Sequence, residues 1–432
     1  MNILNNFLFK NWAENVRFKV QNLYQPENEQ EIIEVVQKHT KIRMVGTGHS
    51  WSDVCHSKEA LISLDLYNKI IHIDQEKKIV KTQAGIKLWQ INEQLDKVGL
   101  ALSNLGSIDQ QSIAGAISTG THGTGINFQI LAAQIIEFSL IKANGEKIII
   151  NKNDDENLFN ACVVNLGALG VISEITLQVT DAFNLHDQTE TIDFDQVIEN
   201  IDYYINNNDH FKLWWLAPTK KVVVYRYQRT NSPRRGAKIK QYIRDRFTSV
   251  YIYRMLVAMG EMFPFTAKAI NSVLIWDLRQ PIDRIEKSYK VYNVPPPPKH
   301  RETEWAFDLQ QAKEILKSYK NFIIDKKYNL NFIQEIRFTK GDDFWLSASY
   351  QRNSLWLGLY AYEHEKWHEI LPEFEEFAKK HEGRPHWGKE STIDRDYLKQ
   401  QYPKFDDFVA LKREFDPDKK FENRFIEKIF GA

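Results

Sequence analysis

Ser112-Ile113-Ala114-Gly115-Ala116-Ile117-Ser118-Thr119-Gly120-Thr121-His122-Gly123-Thr124-Gly125 gathers glycine, serine and threonine around one histidine and carries no charged side chain. The backbone amides and small hydroxyls of such a segment can approach the oxygens of a diphosphate with no large side chain in the way. A flexible linker is the bland alternative. Against it, Ile113, Ala114, Ala116 and Ile117 give the stretch a buried character that a Gly/Ser linker lacks. A second glycine-bearing turn, Val45-Gly46-Thr47-Gly48-His49-Ser50-Trp51, lies upstream at the end of a strand expected over Ile42–Val45. It is not the Rossmann fingerprint. The third glycine is missing, no clear helix starts there, and no acidic residue follows at the expected offset. By itself it reads as a tight turn with a surface histidine.

Outward from these turns, residues 27–40 read as a helix opened by Pro26, with Ile32, Ile33, Val35 and Val36 as its apolar stripe. Residues 70–74 and 79–83 read as a hairpin, and residues 87–98 as a helix closed by Gly99. Residues 134–142 and 146–150 flank Asn144-Gly145, the signature of a type I′ hairpin. Residues 155–163 read as a helix and 170–179 as a strand. Strands and helices mix without strict βαβ alternation, which points to α+β rather than a doubly wound sheet. A boundary near Asp181 divides the chain into residues 1–180 and 181–432. Beyond it, Trp214, Trp215, Tyr225 and Tyr227 lie in β-like runs, and residues 331–338, 344–351 and 356–362 alternate like antiparallel strands. Residues 309–325 and 370–381 read as helices, the prolines at 295–298 as extended chain, and Asp416-Pro417-Asp418 as a turn.

With 432 residues and 43% hydrophobic composition, the chain can bury a core and spans two or three domains. Lys+Arg and Asp+Glu both number 57, so nothing calls for a nucleic acid partner. Cys55 and Cys162 stand apart without CxxC spacing; neither a disulfide scaffold nor a metal site is expected. Two unpaired thiols suit a reducing, cytoplasmic compartment. Residues 1–17 lack the pattern of a secretory leader. The apolar stretch 255–276 is broken by Glu261, Pro264 and Lys268 and is a poor membrane span. Just before it, Arg234, Arg235, Lys238, Lys240, Arg244, Arg246 and Arg254 interleave with Tyr242, Phe247, Tyr251 and Tyr253. A solvated helix face is the commoner explanation. Peripheral contact with an anionic membrane through residues 234–254 is the sharper one, and a non-catalytic membrane-associated binding protein is the reading from another class.

Two further segments carry chemistry. In Gln334-Glu335-Ile336-Arg337-Phe338, Glu335 and Arg337 stand at i and i+2, on one face of a strand, as a salt bridge or a substrate clamp. In Arg384-Pro385-His386-Trp387-Gly388-Lys389, Trp387 can pack while Lys389 reaches a carbonyl or an anionic ring. The bland reading there is a surface loop with a structural His386.

These four segments, in this order, resemble the aldonolactone oxidoreductases of the vanillyl-alcohol oxidase flavoprotein superfamily. The likeness runs from about Arg17 to the C-terminus and is weakest over 229–298. It includes Gln94-Leu95-Asp96-Lys97, Gly99-Leu100-Ala101-Leu102-Ser103-Asn104-Leu105-Gly106, and the run from Glu335 through Thr339-Lys340-Gly341-Asp342-Asp343. The resemblance implies a two-subdomain α+β FAD-binding domain of the PCMH type. It also implies a C-terminal substrate cap with an antiparallel sheet and helices, whose tail from about 385 to 432 packs back toward the flavin. By analogy Val45, Gly46, Thr47, Gly48, His49, Ser50, Ser112, Gly115, Ser118, Thr119, Thr121 and His122 hold the FAD diphosphate and ring. Gly106 and Ser107 match positions beside the reactive face, and Gly167, Gly170 and Ile172 match contacts further along the cofactor. His49 matches a histidine that many relatives join covalently to the flavin 8α-methyl and others do not. Glu335, Arg337 and Lys389 are the implied catalytic residues. The implied reaction is oxidation of a sugar-1,4-lactone of the L-gulono-, L-galactono- or D-arabinono- type by hydride transfer to flavin N5. Oxygen then reoxidises the flavin and gives hydrogen peroxide, and the small Gly106 suits oxygen access. The product can tautomerise to an ene-diol, as in ascorbate-like biosynthesis. Alternatives are an alditol oxidase acting on xylitol or sorbitol, and a lactone dehydrogenase passing electrons to another acceptor.

Overall fold

Parallel strands need a long crossover, and the first sheet uses a helix to make one. β1 (Asn2–Lys10) and β2 (Arg17–Gln25) form an antiparallel hairpin. β2 then pairs in parallel with β4 (Ala60–Ser63), which pairs in parallel with β3 (Ile42–Val45). The crossover helix Glu29–Lys38 starts where Asn28 accepts from the Glu31 N–H, and it buries Ile32, Val35 and Val36. This computed structural model describes residues 1–236, 253–277, 281–294, 298–328, 330, 332–361 and 366–431. The prolines at 295–297 and the basic run at 237–252 therefore lie outside the described residues.

The second sheet is antiparallel, in the order β5 (Ile70–Asp74), β6 (Ile79–Gln83), β10 (Val171–Gln178), β8 (Ile135–Ile141), β9 (Lys147–Asn151). A short ribbon joins β7 (Leu100–Ala101) to β11 (Thr180–Asp181). The helix Leu88–Lys97 stops before Gly99, which takes a φ of +73°. The turn between β8 and β9 differs from the expected type I′, which needs positive φ at both central residues. Only Gly145 has it, at +85°, and the Lys142 carbonyl accepts from Gly145 N at 2.9 Å while Lys142 N donates to the Glu146 carbonyl at 2.9 Å. The glycine supplies the left-handed residue of a three-residue bulged hairpin instead.

The remainder of the chain builds one eight-stranded antiparallel sheet. Its strands are β12 (Asn184–Asp193), β13 (His210–Trp215), β14 (Lys221–Thr230), β15 (Ile282–Lys287), β16 (Arg301–Asp308), β17 (Gln334–Thr339), β18 (Ser354–Ala361) and β19 (Arg384–Pro385). Their spatial order is β15-β12-β14-β13-β17-β18-β16-β19. Tyr319 of helix Ala312–Lys326 meets Phe374 and Phe377 of helix Trp367–Lys380 at ring distances of 6.1 Å, in the core beside this sheet. The strand expected over 344–351 is absent; these residues form turns. Asp342 accepts from Phe344 N at 3.1 Å and from Ser347 Oγ at 2.7 Å, and Ser347 Oγ accepts from Ser349 N at 3.1 Å. Short polar side chains have captured the backbone groups a ladder would have used. Cys55 and Cys162 are free and buried, and no described helix is long and apolar enough to cross a membrane.

Arg43, on β3, stitches the ends of the chain together. Its buried guanidinium donates to the carbonyls of Val54 (2.9 and 2.7 Å), Gly167 (2.8 Å), Leu166 (2.6 Å) and Phe421 (2.6 Å). Burial lowers its pKa to about 10, which leaves it charged at neutral pH. Asn423 Nδ2 adds bonds to the carbonyls of Val54 (3.1 Å) and His56 (3.0 Å). We expect Arg43→Met to destabilise the folded chain by about 3 kcal/mol, because it orphans several buried carbonyls at once. Urea denaturation of the two proteins side by side measures the difference. An unchanged midpoint would mean that the guanidinium only balances its own desolvation.

Candidate active site

The two glycine-bearing turns face each other at van der Waals range. A Cβ on Gly46 would lie 2.4 Å from Ser112 Oγ, and one on Gly115 would lie 3.0 Å from the same atom. Only residues without a side chain permit this approach. Along these turns runs a cleft open to solvent. It brings together Val45, Gly46, Thr47, Gly48, His49 and Ser50 with Ser112, Gly115, Ser118 and Thr119, and with Gly167, Gly170 and Ile172 further along. Asp65 is the one carboxylate among its described lining residues. An elongated cradle rich in amides and hydroxyls, and poor in acids, fits a dinucleotide carrying a diphosphate. The first hairpin closes one wall of it. Trp12 N donates to the Gly48 carbonyl at 2.8 Å, and Asn11 Nδ2 to the Ser50 carbonyl at 2.9 Å. His49 is pushed down to about 4, first by burial and then by the charges of Lys389 and Lys87, so its ring is neutral and keeps a free lone pair.

Thr121, His122, Gly106 and Ser107 do not line that cavity. Thr121 Oγ1 accepts from Gln111 Nε2 at 3.3 Å. The His122 ring is buried and stacks on Trp356 at 3.7 Å, so its carbonyl rather than its ring turns toward Arg337. Gly106 lies against that carbonyl, and Ser107 joins the charged residues.

Those charged residues come from two paired strands. β13 and β17 align with Trp214 opposite Glu335. Lys212 and Trp214 share a face of β13, as Glu335 and Arg337 share a face of β17. Glu335 Oε1 accepts from Trp214 Nε1 (2.9 Å), Lys212 Nζ (3.0 Å) and Ser107 Oγ (3.3 Å), while Oε2 pairs with Arg337. Arg337 also donates to Ser107 Oγ at 3.0 Å and to the His122 carbonyl at 3.4 Å. Burial works to raise the Glu335 pKa, but the Arg337 guanidinium and the Lys212 ammonium outweigh it and hold the carboxyl far below its usual range. Glu335 in turn holds Arg337 charged.

β16 supplies a pair of carboxylates, Glu302 and Glu304. Glu302 forms an ion pair with Lys389, whose Nζ lies 4.2 Å from the Trp51 ring centroid. Trp51 N donates to the Gly388 carbonyl at 2.7 Å, which docks the Lys389 loop onto the end of the first glycine turn. Glu304 Oε1 lies 3.4 Å from His122 Nε2, an ion-pair distance without an aligned hydrogen bond. His122, Glu304 and His386 offer ligand atoms within 4.8 Å of one another. His386 Nδ1, however, accepts from Gly388 N at 3.0 Å, which places the ring proton on Nε2 and marks the trio as a polar network. Burial lowers His386 to about 3.

Glu335, Arg337 and Lys389 were expected here. Lys212, Trp214, Glu302 and Glu304 were not. A signal existed in the spacing of Lys212 and Trp214, and of Glu302 and Glu304, at i and i+2 within strands, but nothing local says which face a strand turns inward.

The family model described as D-arabinono-1,4-lactone oxidase matches residues 175–429, and the one described as FAD binding domain matches residues 20–151. Over 98% of this chain and of the relative, identity reaches 30% with the L-gulonolactone oxidase of Scyliorhinus torazame and 31% with that of Bos taurus. An L-gulono-1,4-lactone dehydrogenase of Mycobacterium tuberculosis is 29% identical over 98% of this chain and 99% of its own length. Cholesterol oxidase from Brevibacterium sterolicum superposes with a TM-score of 0.86 over 99% of this chain and 97% of that one at 16% identity, a likeness of fold. The glycine cradle falls largely where the FAD model matches and the charged cluster largely where the lactone oxidase model does, and the chain belongs to the D-arabinono-1,4-lactone oxidase family of FAD-dependent aldonolactone oxidoreductases.

Proposed function

We propose that this protein oxidises a sugar-1,4-lactone of the L-gulono-, L-galactono- or D-arabinono- type at its hydroxyl-bearing carbon, with oxygen as acceptor and hydrogen peroxide as second product. The observation that carries this reading is the Arg337 guanidinium, fixed between Glu335 and Ser107 and backed by the Lys389–Glu302 pair, in a site joined through Trp51 to the glycine cradle. Residues 1–180 serve the cofactor and 181–432 the substrate in this proposal. Residues 45–50, 112–119, 167, 170 and 172 hold the dinucleotide, with Gly106, Ser107 and the carbonyl of His122 toward its reactive end.

FAD, where bound, would supply a two-electron acceptor that oxygen can reoxidise. The chain's own residues supply position and field. Arg337, ionised at any working pH, offers N–H groups to the charge that develops on the substrate oxygen. Lys389 brings a second positive charge. Glu335 already accepts four hydrogen bonds and is held ionised, so it is a weak proton acceptor. Its work is to fix Arg337 rather than to carry the hydroxyl proton.

Relatives named as oxidases and as a dehydrogenase both cover the full chain. The oxygen assignment is favoured by Gly106, where an added Cβ would crowd the His122 carbonyl at 3.3 Å. Peripheral contact with a membrane through residues 234–254 belongs to the same proposal. Of that segment's basic side chains, those of Arg234 and Arg235 are described; they are exposed and pair with Glu286 and Asp283.

Side-by-side turnover of gulonolactone, galactonolactone, arabinonolactone and xylitol with peroxide detection tests the reading. A lactone should win, and Arg337→Ala should slow anaerobic flavin bleaching by roughly 10²–10⁴-fold with FAD still bound. Preference for xylitol would make the protein an alditol oxidase, and near-normal bleaching would remove Arg337 from the site. The acid limb of that bleaching rate should move to higher pH in Lys212→Met. Glu335 is depressed in the fold, so its charge is present above its folded pKa and is lost as pH falls through it; removing a cation raises that point. An unmoved acid limb would separate Lys212 from the Glu335 charge. We further propose a covalent bond from neutral His49 to the flavin. Wild-type protein should then carry its yellow colour into an acid-precipitated pellet and His49→Ala should release it. A colourless wild-type pellet would mean non-covalent FAD.

A further inference from the structure

Four strands of the large sheet turn one face toward the charged cluster. Trp214 of β13 stands opposite Glu335 of β17, and Arg337 of β17 opposite Trp356 of β18. Glu302 and Glu304 of β16 stand opposite Tyr360 and Gly358 of β18. Residues opposite one another, or two apart along a strand, point to the same side of a sheet. Gly358 therefore lies in the middle of this floor. Glu304 flanks it on one side and, by continuation of the Ile336–Leu357 register, Glu335 on the other.

The space above the glycine is filled from its own strand. A Cβ on Gly358 would lie 2.2 Å from Tyr360 Cε2 and 2.9 Å from the Tyr360 hydroxyl. The ring has folded back over the glycine, with Phe332 stacked at 6.1 Å and His300 at 5.6 Å to hold it there. Covering a strand glycine with an aromatic ring is an ordinary packing device, and phenylalanine would serve. The hydroxyl is what packing does not explain. It sits among Glu302, Glu304, Glu335 and Arg337, whose charges all act on it, and it makes no hydrogen bond among the described residues. Tyr360 retains only 7% of its accessible surface. A polar group taken from water without a partner is costly, and a partner that arrives with the ligand accounts for it.

Burial, and then the three carboxylates, hold the phenol pKa well above its ordinary value. The group stays an O–H and is a donor rather than a proton acceptor. The ligand atom it suits is an oxygen that carries no proton. In a sugar-1,4-lactone the strongest such acceptor is the carbonyl. It stands on the carbon next to the reacting one, so its donor belongs close to Arg337. We propose that Tyr360 reads the lactone: its hydroxyl, laid over Gly358 between Glu335 and Glu304, donates to the carbonyl oxygen. This rests on the lactone reading of the site and deepens it by naming the residue that tells a lactone from the same ring without its carbonyl.

Tyr360→Phe keeps the ring over Gly358 and removes only the hydroxyl. Two ligands of one configuration separate the contact from packing: gulono-1,4-lactone, and the 1,4-anhydro-alditol with CH2 in place of the carbonyl. Wild-type holoenzyme should bind the lactone more tightly than the anhydro ring. The variant, with FAD still bound, should raise KM for the lactone roughly 3–10-fold and move the Kd of the anhydro ring, read from the flavin spectrum, less than about 2-fold. Gly358→Ala, whose methyl displaces the phenol, should weaken the lactone likewise although Tyr360 is intact. Equal weakening of both ligands by Tyr360→Phe would overturn the carbonyl assignment and make Tyr360 a packing residue. An unchanged lactone KM would overturn the contact itself. If the wild type oxidises no lactone, the spectral titration reads the lactone Kd directly, so failure of the proposed reaction and failure of the contact are told apart.

Discussion

A carboxylate shut away from water must be answered by partners, and Glu335 is shut away. Its answer draws on the whole chain. Lys212 and Trp214 come from the neighbouring strand, Arg337 from two residues along its own, and Ser107 from a turn in the other half of the molecule. Both cations and the indole come from the eight-stranded sheet itself, and Ser107 adds the bond that reaches the N-terminal half. The same atoms that cancel the buried charge hold the guanidinium in place. Cost of burial and precision of placement are here one interaction.

The two parts of the site use opposite means. The cradle works by subtraction: at Gly46 and Gly115 the absence of a side chain lets two backbone segments close to contact distance and leaves amides to face the ligand. The charged cluster works by opposition, each cation set against a carboxylate: Lys389 against Glu302 and Arg337 against Glu335. In the function proposed, the first would hold a cofactor of fixed shape and the second would present a field to a substrate whose charge changes as it reacts.

Much of this was legible in the residues. The cradle announced itself in glycines, hydroxyls and the lack of charge between Ser112 and Gly125, and the i, i+2 spacing of Glu335 and Arg337 placed them on one face of a strand. What stayed hidden depends on partners distant in sequence. Lys212 lies 123 residues before Glu335, and only the β13–β17 register joins them. Nothing local to Glu302 and Glu304 says that β16 turns both of them inward. Residues 344–351 have strand-like alternation, but Asp342, Ser347 and Ser349 bond to their own neighbourhood, a local preference that periodicity does not register. At Asn144-Gly145 the composition pointed to a hairpin and the hairpin is there; its turn type followed from one residue's φ.

The clasp around Arg43 has a mechanical side. Phe421 and Lys420 bond to β3, Asn423 bonds to the loop that follows it, and the Lys389 loop is tied to Trp51, so the last tenth of the chain is lashed to its first. Such a molecule resembles a buckled belt more than a pair of jaws. The tail cannot come away from the first sheet without breaking buried bonds. The buckle is itself part of the cradle's wall, because Arg43 and Val54 line the same cleft.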